Sequence, residues 1–188
     1  FFADYLDGVR KRGSSIGAVI EIVAEGVPAG LGAPIYGKLD ADLAAALMSI
    51  QAIKGVEVGA GFGAANKPGS QAHDEIYWNK KDGFLRKTNM AGGIEGGISN
   101  GETITLRIAM KPIPTLMKPL RSVDLESKKP FKASVERSDV CAVPAASVVG
   151  EAMTALTVAD AFIEKFGGDS MEEVMRNYTV YQEHVKQF

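Results

Sequence analysis

The sequence predicts an α+β fold, a sandwich in which two nearly all-apolar helices lie between layers of sheet. Three observations predict it. Two stretches, 39–50 and 145–166, have helical spacing yet almost no polar face, and a helix apolar all round is buried on every side. Several further stretches are rich in β-branched residues and read as strands. A glycine-rich stretch, Thr88 to Gly101, runs straight into the strongest of these strands. Helices enclosed between sheets would bury such faces; the alternative is that one helix is covered by a partner chain.

The chain has 188 residues, 46% of them hydrophobic, which suits a single domain with a sizeable core. A net charge of −2 argues against a broad basic footprint for nucleic acid or a membrane surface. The lone Cys141 excludes an internal disulfide framework and suits a reducing, cytoplasmic setting. There is no uninterrupted apolar run of about 18 residues, so no membrane span is expected. Phe1 to Leu6 reads as the middle of an amphipathic helix, so an N-terminal part is expected upstream of it.

Taken in order, the helical spacing of Phe1 to Lys11 ends in Arg10, Lys11, Arg12 and Gly13, cations and a glycine that suit a helix C-terminus. Ile16 to Ala24 is β-branched and reads as a strand. Glu25 to Pro34 is a loop by its glycines and prolines, either a connector or a functional segment. Leu39 to Ile50 is a helix, with Asp40 and Asp42 favouring its positive end. Gly55 to Gly59 is a short strand. Ala60 to Gly83 is irregular and reads as a mobile excursion over the surface or a site. Its His73 and Asp74 are sequence neighbours and seldom would face one point as an acid–base pair.

The Thr88–Gly101 stretch holds five glycines. Glycine supplies positive φ or close backbone approach, so the loop is either a set of turns or a backbone cradle for a planar or phosphorylated ligand. Glu102 to Lys111 is a strand, broken by the prolines of the segment Lys111 to Pro119. Arg121 to Leu125 and Phe131 to Val135 read as two short strands joined by a polar turn. Pro144 is placed to open the second apolar helix, Gly167 and Gly168 stop it, and a last amphipathic helix follows Asp169.

Polar groups beside these breaks are the candidate chemistry: Ser49 with Gln51, Ser99 with Asn100, Lys111 with Thr115, and Arg137 with Asp139. Arg137 and Asp139 before a helix form either a cap with an ion pair or an anion site, since arginine offers a planar fork to phosphate or carboxylate. Metal centres, a nucleophile elbow and a dinucleotide fingerprint have no matching motif. Cys141 reads as a small buried hydrophobe.

Taken together, Gly26 to Gly32, Lys38 to Ala41, Ser49 to Glu57, Gly69 to Asp74, Thr88 to Gly101 and Arg137 to Cys141 resemble, in order, the C-terminal half of chorismate synthases. The resemblance spans about residues 13 to 166 and rests on the set of motifs rather than on any one. It implies a β-α-β sandwich, incomplete here relative to the full-length family fold, with residues 1–188 as a single domain. It implies conversion of 5-enolpyruvylshikimate 3-phosphate to chorismate and phosphate by 1,4-anti elimination, with reduced FMN and no net redox change. It also implies a homotetramer. NADP enters through the same resemblance, and whether the parent reduces its own flavin or depends on an external reductase stays open.

By the same resemblance, Gln51, Ala52, Gly96, Lys111, Pro112, Ile113, Pro114 and Thr115 fall on flavin contacts. Arg137 falls on the arginine at flavin or substrate phosphate, and Asp139 on the acid that assists proton handling. Ser138 and Val140 stand where many members have histidine and proline. The family's two general-acid histidines and several phosphate-binding arginines belong to an N-terminal half, and neither His73 nor His184 takes their place. The chain alone is therefore expected to be inactive. The alternative is a non-catalytic remnant or oligomerisation domain that binds flavin weakly or not at all.

Overall fold

The computed structural model describes residues 2–81, 83–136 and 139–187. Its centre is a three-stranded antiparallel sheet. β7 (Ile104–Met110) lies between β1 (Ala18–Ala24) and β2 (Ile53–Val58), with Ile108 opposite both Ile20 and Val56. Alternation along β7 sends Ile104, Leu106 and Ile108 into the core and Thr105 and Arg107 to the other face. On that outer face Arg107 meets Glu57 of β2 at 2.8 Å.

Two helices cover the inner face. α2 (Leu39–Met48) sets Leu39, Leu43 and Leu47 against the sheet, all fully buried at the four-residue spacing of one helix face. α4 (Val143–Phe166) lays down a stripe of small residues instead: Ala146, Gly150 and Thr154. A Cβ at Gly150 would sit 2.8 Å from Ile22 Cδ1, so glycine lets α4 press closely onto β1. Thr154 Oγ1 donates to the Gly150 carbonyl at 2.9 Å, which satisfies its buried hydroxyl.

The expectation of two helices enclosed on both sides needs correcting within this chain. Both pack on one face of the single three-stranded sheet; the other strand pairings among the described residues are two-stranded. Several large residues of α4 point away from the core, with Val148 65% and Leu156 66% exposed, while Phe166 at its end is buried. The sequence signal was real but ambiguous. An all-apolar helix announces two contact faces, and only the one lined with small residues is filled by this chain. α4 is also long and apolar enough, by length and composition, to cross a membrane. Glu151 and Asp160 interrupt its apolar run. Its inner stripe belongs to the core, and we read it as a core helix.

The remaining elements dress this unit. α1 (Phe2–Lys11) is amphipathic and buries Val9. α5 (Met171–Val185) starts at Ser170, whose Oγ accepts from the Glu173 amide at 3.3 Å, while Glu173 accepts from the Asp169 amide at 2.8 Å. It returns along α4 through an aromatic group, Phe162, Phe166, Tyr178 and Tyr181, with ring centroids 4.7–5.3 Å apart. Tyr181 then donates its hydroxyl to the Ala29 carbonyl at 2.9 Å.

The stretch from Ala60 to Gly83, expected to be an irregular excursion, contributes ordered elements. These are a 3₁₀ turn (Gly61–Asn66), the short α3 (Gly69–Ala72) and a hairpin of β3 (Ile76–Asn79) and β4 (Gly83–Arg86) with Trp78 opposite Phe84. The glycine-rich stretch contains another small hairpin, β5 (Ile94–Glu95) and β6 (Ile98–Ser99). β8 (Arg121–Val123) and β9 (Pro130–Lys132) pair as the two short strands expected there, and both are exposed.

Candidate functional site

At Met110, β7 leaves the sheet, and the prolines that follow cannot donate to a ladder. The segment Lys111 to Thr115 is instead held by neighbours distant in sequence. The Lys111 amide donates to the Ala52 carbonyl at 2.9 Å. Ala52 has φ 68, a left-handed conformation uncommon for a residue with a side chain. Ser15 Oγ donates to the Ile113 carbonyl, and the Lys118 amide donates to Gly13 at 3.0 Å. Gly17 passes so close that an added Cβ would lie 2.0 Å from the Met110 carbonyl oxygen. The Ile16 amide donates to the Val140 carbonyl at 2.9 Å, which brings the segment carrying Asp139 to the same end of the sheet.

Residues 13–17 are therefore the brace of this region. They hold Lys111, Pro112, Ile113, Pro114 and Thr115 beside the segment carrying Asp139, and the Lys111 amide in turn ties Gln51 and Ala52 to the same end of the sheet. The side chains of Gln51, Lys111 and Asp139 are exposed, while Ile113 and Thr115 are half-buried. α4 begins just beyond, at Val143 with Pro144 in its first turn, so the positive end of a 24-residue helix dipole lies close along the chain to Val140. An ammonium group and a helix N-terminus favour an anionic ligand. Arg137, expected to add a fork to this set, lies outside the described residues.

Gly96 lies elsewhere. It occupies the turn between β5 and β6 with φ 61, and a Cβ there would meet nothing within 4 Å. The carbonyl of its neighbour Gly97 accepts from the amide of Leu39, the first residue of α2, at 2.9 Å. Ala52 follows the far end of α2, and a ten-residue helix is about 15 Å long. Lys111 is likewise separated from the loop by the whole of β7. The expected flavin contacts thus fall into two groups at opposite ends of the fold.

The glycine-rich loop is tightly built. Ser99, 3% exposed, accepts from the Leu31 amide at 2.8 Å and donates to the Pro28 carbonyl at 2.6 Å. The Gly30 amide donates to the Ser99 carbonyl at 2.7 Å, and the Ser99 amide to Leu31 at 2.9 Å. Ser99, singled out from sequence as candidate chemistry, is a bolt joining this loop to residues 28–32. Asn89 donates to the Thr103 carbonyl at 2.7 Å and accepts from the Gly93 amide at 2.8 Å. Arg86 reaches Glu95 at 2.7 Å, and Asn100 donates to the same carboxylate at 2.8 Å.

Asp74 grips the start of the loop. Its Oδ1 accepts from Thr88 Oγ1 at 2.6 Å and the Met90 amide at 2.8 Å, and its Oδ2 accepts from the Ala91 amide at 2.9 Å. Burial opposes its ionisation, but these three bonds and the Arg86 charge outweigh burial and hold the carboxyl below the ordinary aspartate range. With both oxygens committed, it does not form an acid–base pair with the exposed His73.

Sequence reasoning missed Ser15, Ile16, Gly17 and Asp74 as organisers, because what they touch is far away along the chain. Only Gly17, a glycine at the mouth of a β-branched run, carried a signal, that of close backbone approach. An apolar groove of about 500 Å³ runs between β1, α4 and α5 past Val27, Thr154 and Phe162. None of the expected flavin contacts line it. Among the described residues no cluster of three or more His, Cys, Asp or Glu could hold a metal.

The chorismate synthase family model matches residues 2–163. Among curated relatives, the chorismate synthase of Geobacter sulfurreducens is 61% identical over 193 residues, covering 98% of this chain and 49% of the relative. That of Aquifex aeolicus is 56% identical, covering 100% of this chain and 48% of the relative. A crystal structure of chorismate synthase superimposes with a TM-score of 0.83 at 49% identity, covering all of this chain and 49% of that one. The chain thus spans about half the length of the relatives it matches.

Proposed function

The chain belongs to the chorismate synthase family, and from that premise we propose that it is the C-terminal half of a lyase of aromatic amino acid biosynthesis. The parent converts 5-enolpyruvylshikimate 3-phosphate to chorismate and phosphate by 1,4-anti elimination, with reduced FMN, as a cytoplasmic homotetramer. The observation that carries this reading is the convergence of Gln51–Ala52, Lys111–Thr115 and the Asp139 segment on one end of the sheet.

The donor set there fits an anionic flavin: an exposed ammonium at Lys111 and the first turn of α4 near Val140. Gln51, Ala52 and Lys111 to Thr115 would hold it. Reduced FMN bound there supplies electron density that helps an allylic phosphate depart. Lys111 places a point charge beside the anion, and the left-handed Ala52 keeps its carbonyl on the Lys111 amide, fixing the backbone that carries the charge. Asp139 is exposed, and its family position assigns it the proton handling. Arg137 is assigned the departing phosphate by its family position.

Anaerobic titration with reduced FMN tests this reading. Lys111→Ala should weaken binding about tenfold, the effect of losing one charge-assisted contact. Lys111 is exposed, so the fold should survive the change, and unchanged affinity would overturn the assignment. The purified 188-residue chain should form no chorismate from the shikimate ester, because the residues assigned as general acids belong to the other half. Measurable turnover by that material would refute its dependence on a second half. The bare outer face of α4 favours a second reading, a non-catalytic assembly domain. A stable oligomer with no flavin affinity at all would select it.

A further inference from the structure

We propose that Asp74 is the positioning residue of the glycine-rich loop, setting the course of its backbone from a separate segment of the chain. The proposal stands on the geometry of the clamp and does not rest on the flavin reading.

The loop's own side chains fix it further along, Asn89 at Gly93 and Ser99 at its far end. Gly92, Gly93, Gly96 and Gly97 all have positive φ, and glycine leaves the backbone its widest freedom. Something must therefore fix where that run begins. Asp74 does so with one carboxylate. It takes the Thr88 hydroxyl and the Met90 and Ala91 amides, at 2.6–2.9 Å, from 14 to 17 positions away. Immediately downstream, the Ala60 amide donates to the Met90 carbonyl at 2.8 Å, and Gly59 lies against Gly92. The first glycine of the run is thus pinned from both sides before the chain turns into β5.

The carboxylate is suited to this task and a neutral side chain is not. Met90 and Ala91 present successive amides to two different oxygens, and a carboxylate offers two acceptors of equal strength. An asparagine offers one. The charged neighbours are few. Arg86 lies on the same side, held against Glu95 at 2.7 Å, and Lys67 Nζ lies 3.8 Å from Met90 Sδ. The Arg86 charge favours the ionised form of Asp74.

Amide hydrogen exchange on the 188-residue chain tests the clamp directly. Met90 and Ala91 should be protected in the native chain. In Asp74→Ala both should exchange at least a hundredfold faster, while Leu106 and Ile108 in β7 keep their protection. Asp74→Asn should retain one protected amide of the two. The folded carboxyl titrates below the ordinary 3.8, so loop protection should be full above that pH and lost as pH falls below it. The Leu106 and Ile108 amides serve as the control, and both alanine and asparagine variants should abolish the pH step. Unchanged Met90 and Ala91 exchange in Asp74→Ala, or a missing pH step in the native chain, would overturn the proposal. If the native chain binds no flavin, the flavin reading fails while the exchange data still decide the clamp.

Discussion

Replacing Gly59 with alanine should lower the unfolding free energy by about 2–5 kcal/mol. Two separate effects combine. Gly59 has φ 57, a conformation an L-residue enters only with strain. Its added Cβ would also lie 2.3 Å from the Met90 carbonyl oxygen, 2.5 Å from the Gly92 nitrogen and 2.7 Å from the Ala91 carbonyl carbon. All three are backbone atoms, so no side chain can swing aside. The glycine-rich loop would have to lift away from the end of β2, where the Gly59 amide donates to Thr105 at 2.9 Å. The reciprocal position gives the same answer, since a Cβ at Gly92 would lie 2.3 Å from the Gly59 nitrogen. Urea denaturation followed by circular dichroism measures the loss, and an unshifted midpoint would show that the two segments do not cross as described. Against a total stability of roughly 5–15 kcal/mol, a loss of this size threatens the fold itself.

Gly17→Ala should cost about 1–3 kcal/mol, by forced overpacking against main chain. Here the obstacle is the Met110 carbonyl at 2.0 Å, with the Lys111 carbonyl carbon and the Pro112 nitrogen at 3.0 Å. Relief requires the start of β1 and the end of β7 to part, and the segment Lys111 to Thr115 moves with the latter. The variant should therefore lose flavin affinity more than its stability loss explains. A melting temperature and an FMN titration measured on the same sample check this. A variant that melts lower yet binds flavin normally would separate the brace from the site.

The elements that were legible in the sequence are those whose neighbours impose a period. α2 and β7 declared themselves through four-residue and two-residue spacing, since one face of each is filled by the core. α4 was legible as a helix but not in its surroundings, because Ala146, Gly150 and Thr154 read as filler between larger residues, of which Val148, Val149 and Leu156 face outward. β3 and β4 were not legible. Their exposed Ile76, Trp78 and Phe84 share no buried face that would impose alternation against a core. Ser99 was noticed for the right reason, a hydroxyl in a glycine loop, and assigned the wrong role. Whether a hydroxyl meets a ligand or a carbonyl depends on Pro28, seventy-one positions away. The candidate site was legible as a set of motifs through family resemblance, but its division into two groups follows from the lengths of α2 and β7.

The brace formed by residues 13–17 has a consequence for the order in which the molecule is made. Gly17 packs on Met110, Ser15 bonds Ile113, and Ile16 bonds Val140. A chain emerging from the ribosome at about 5–20 residues per second has made the brace long before its partners exist. Until Val140 has emerged, that stretch of backbone lacks the last of its native partners. Closing such long loops precedes any reward from the contacts they make, so the end of the sheet that carries Lys111 is expected to mature late and slowly.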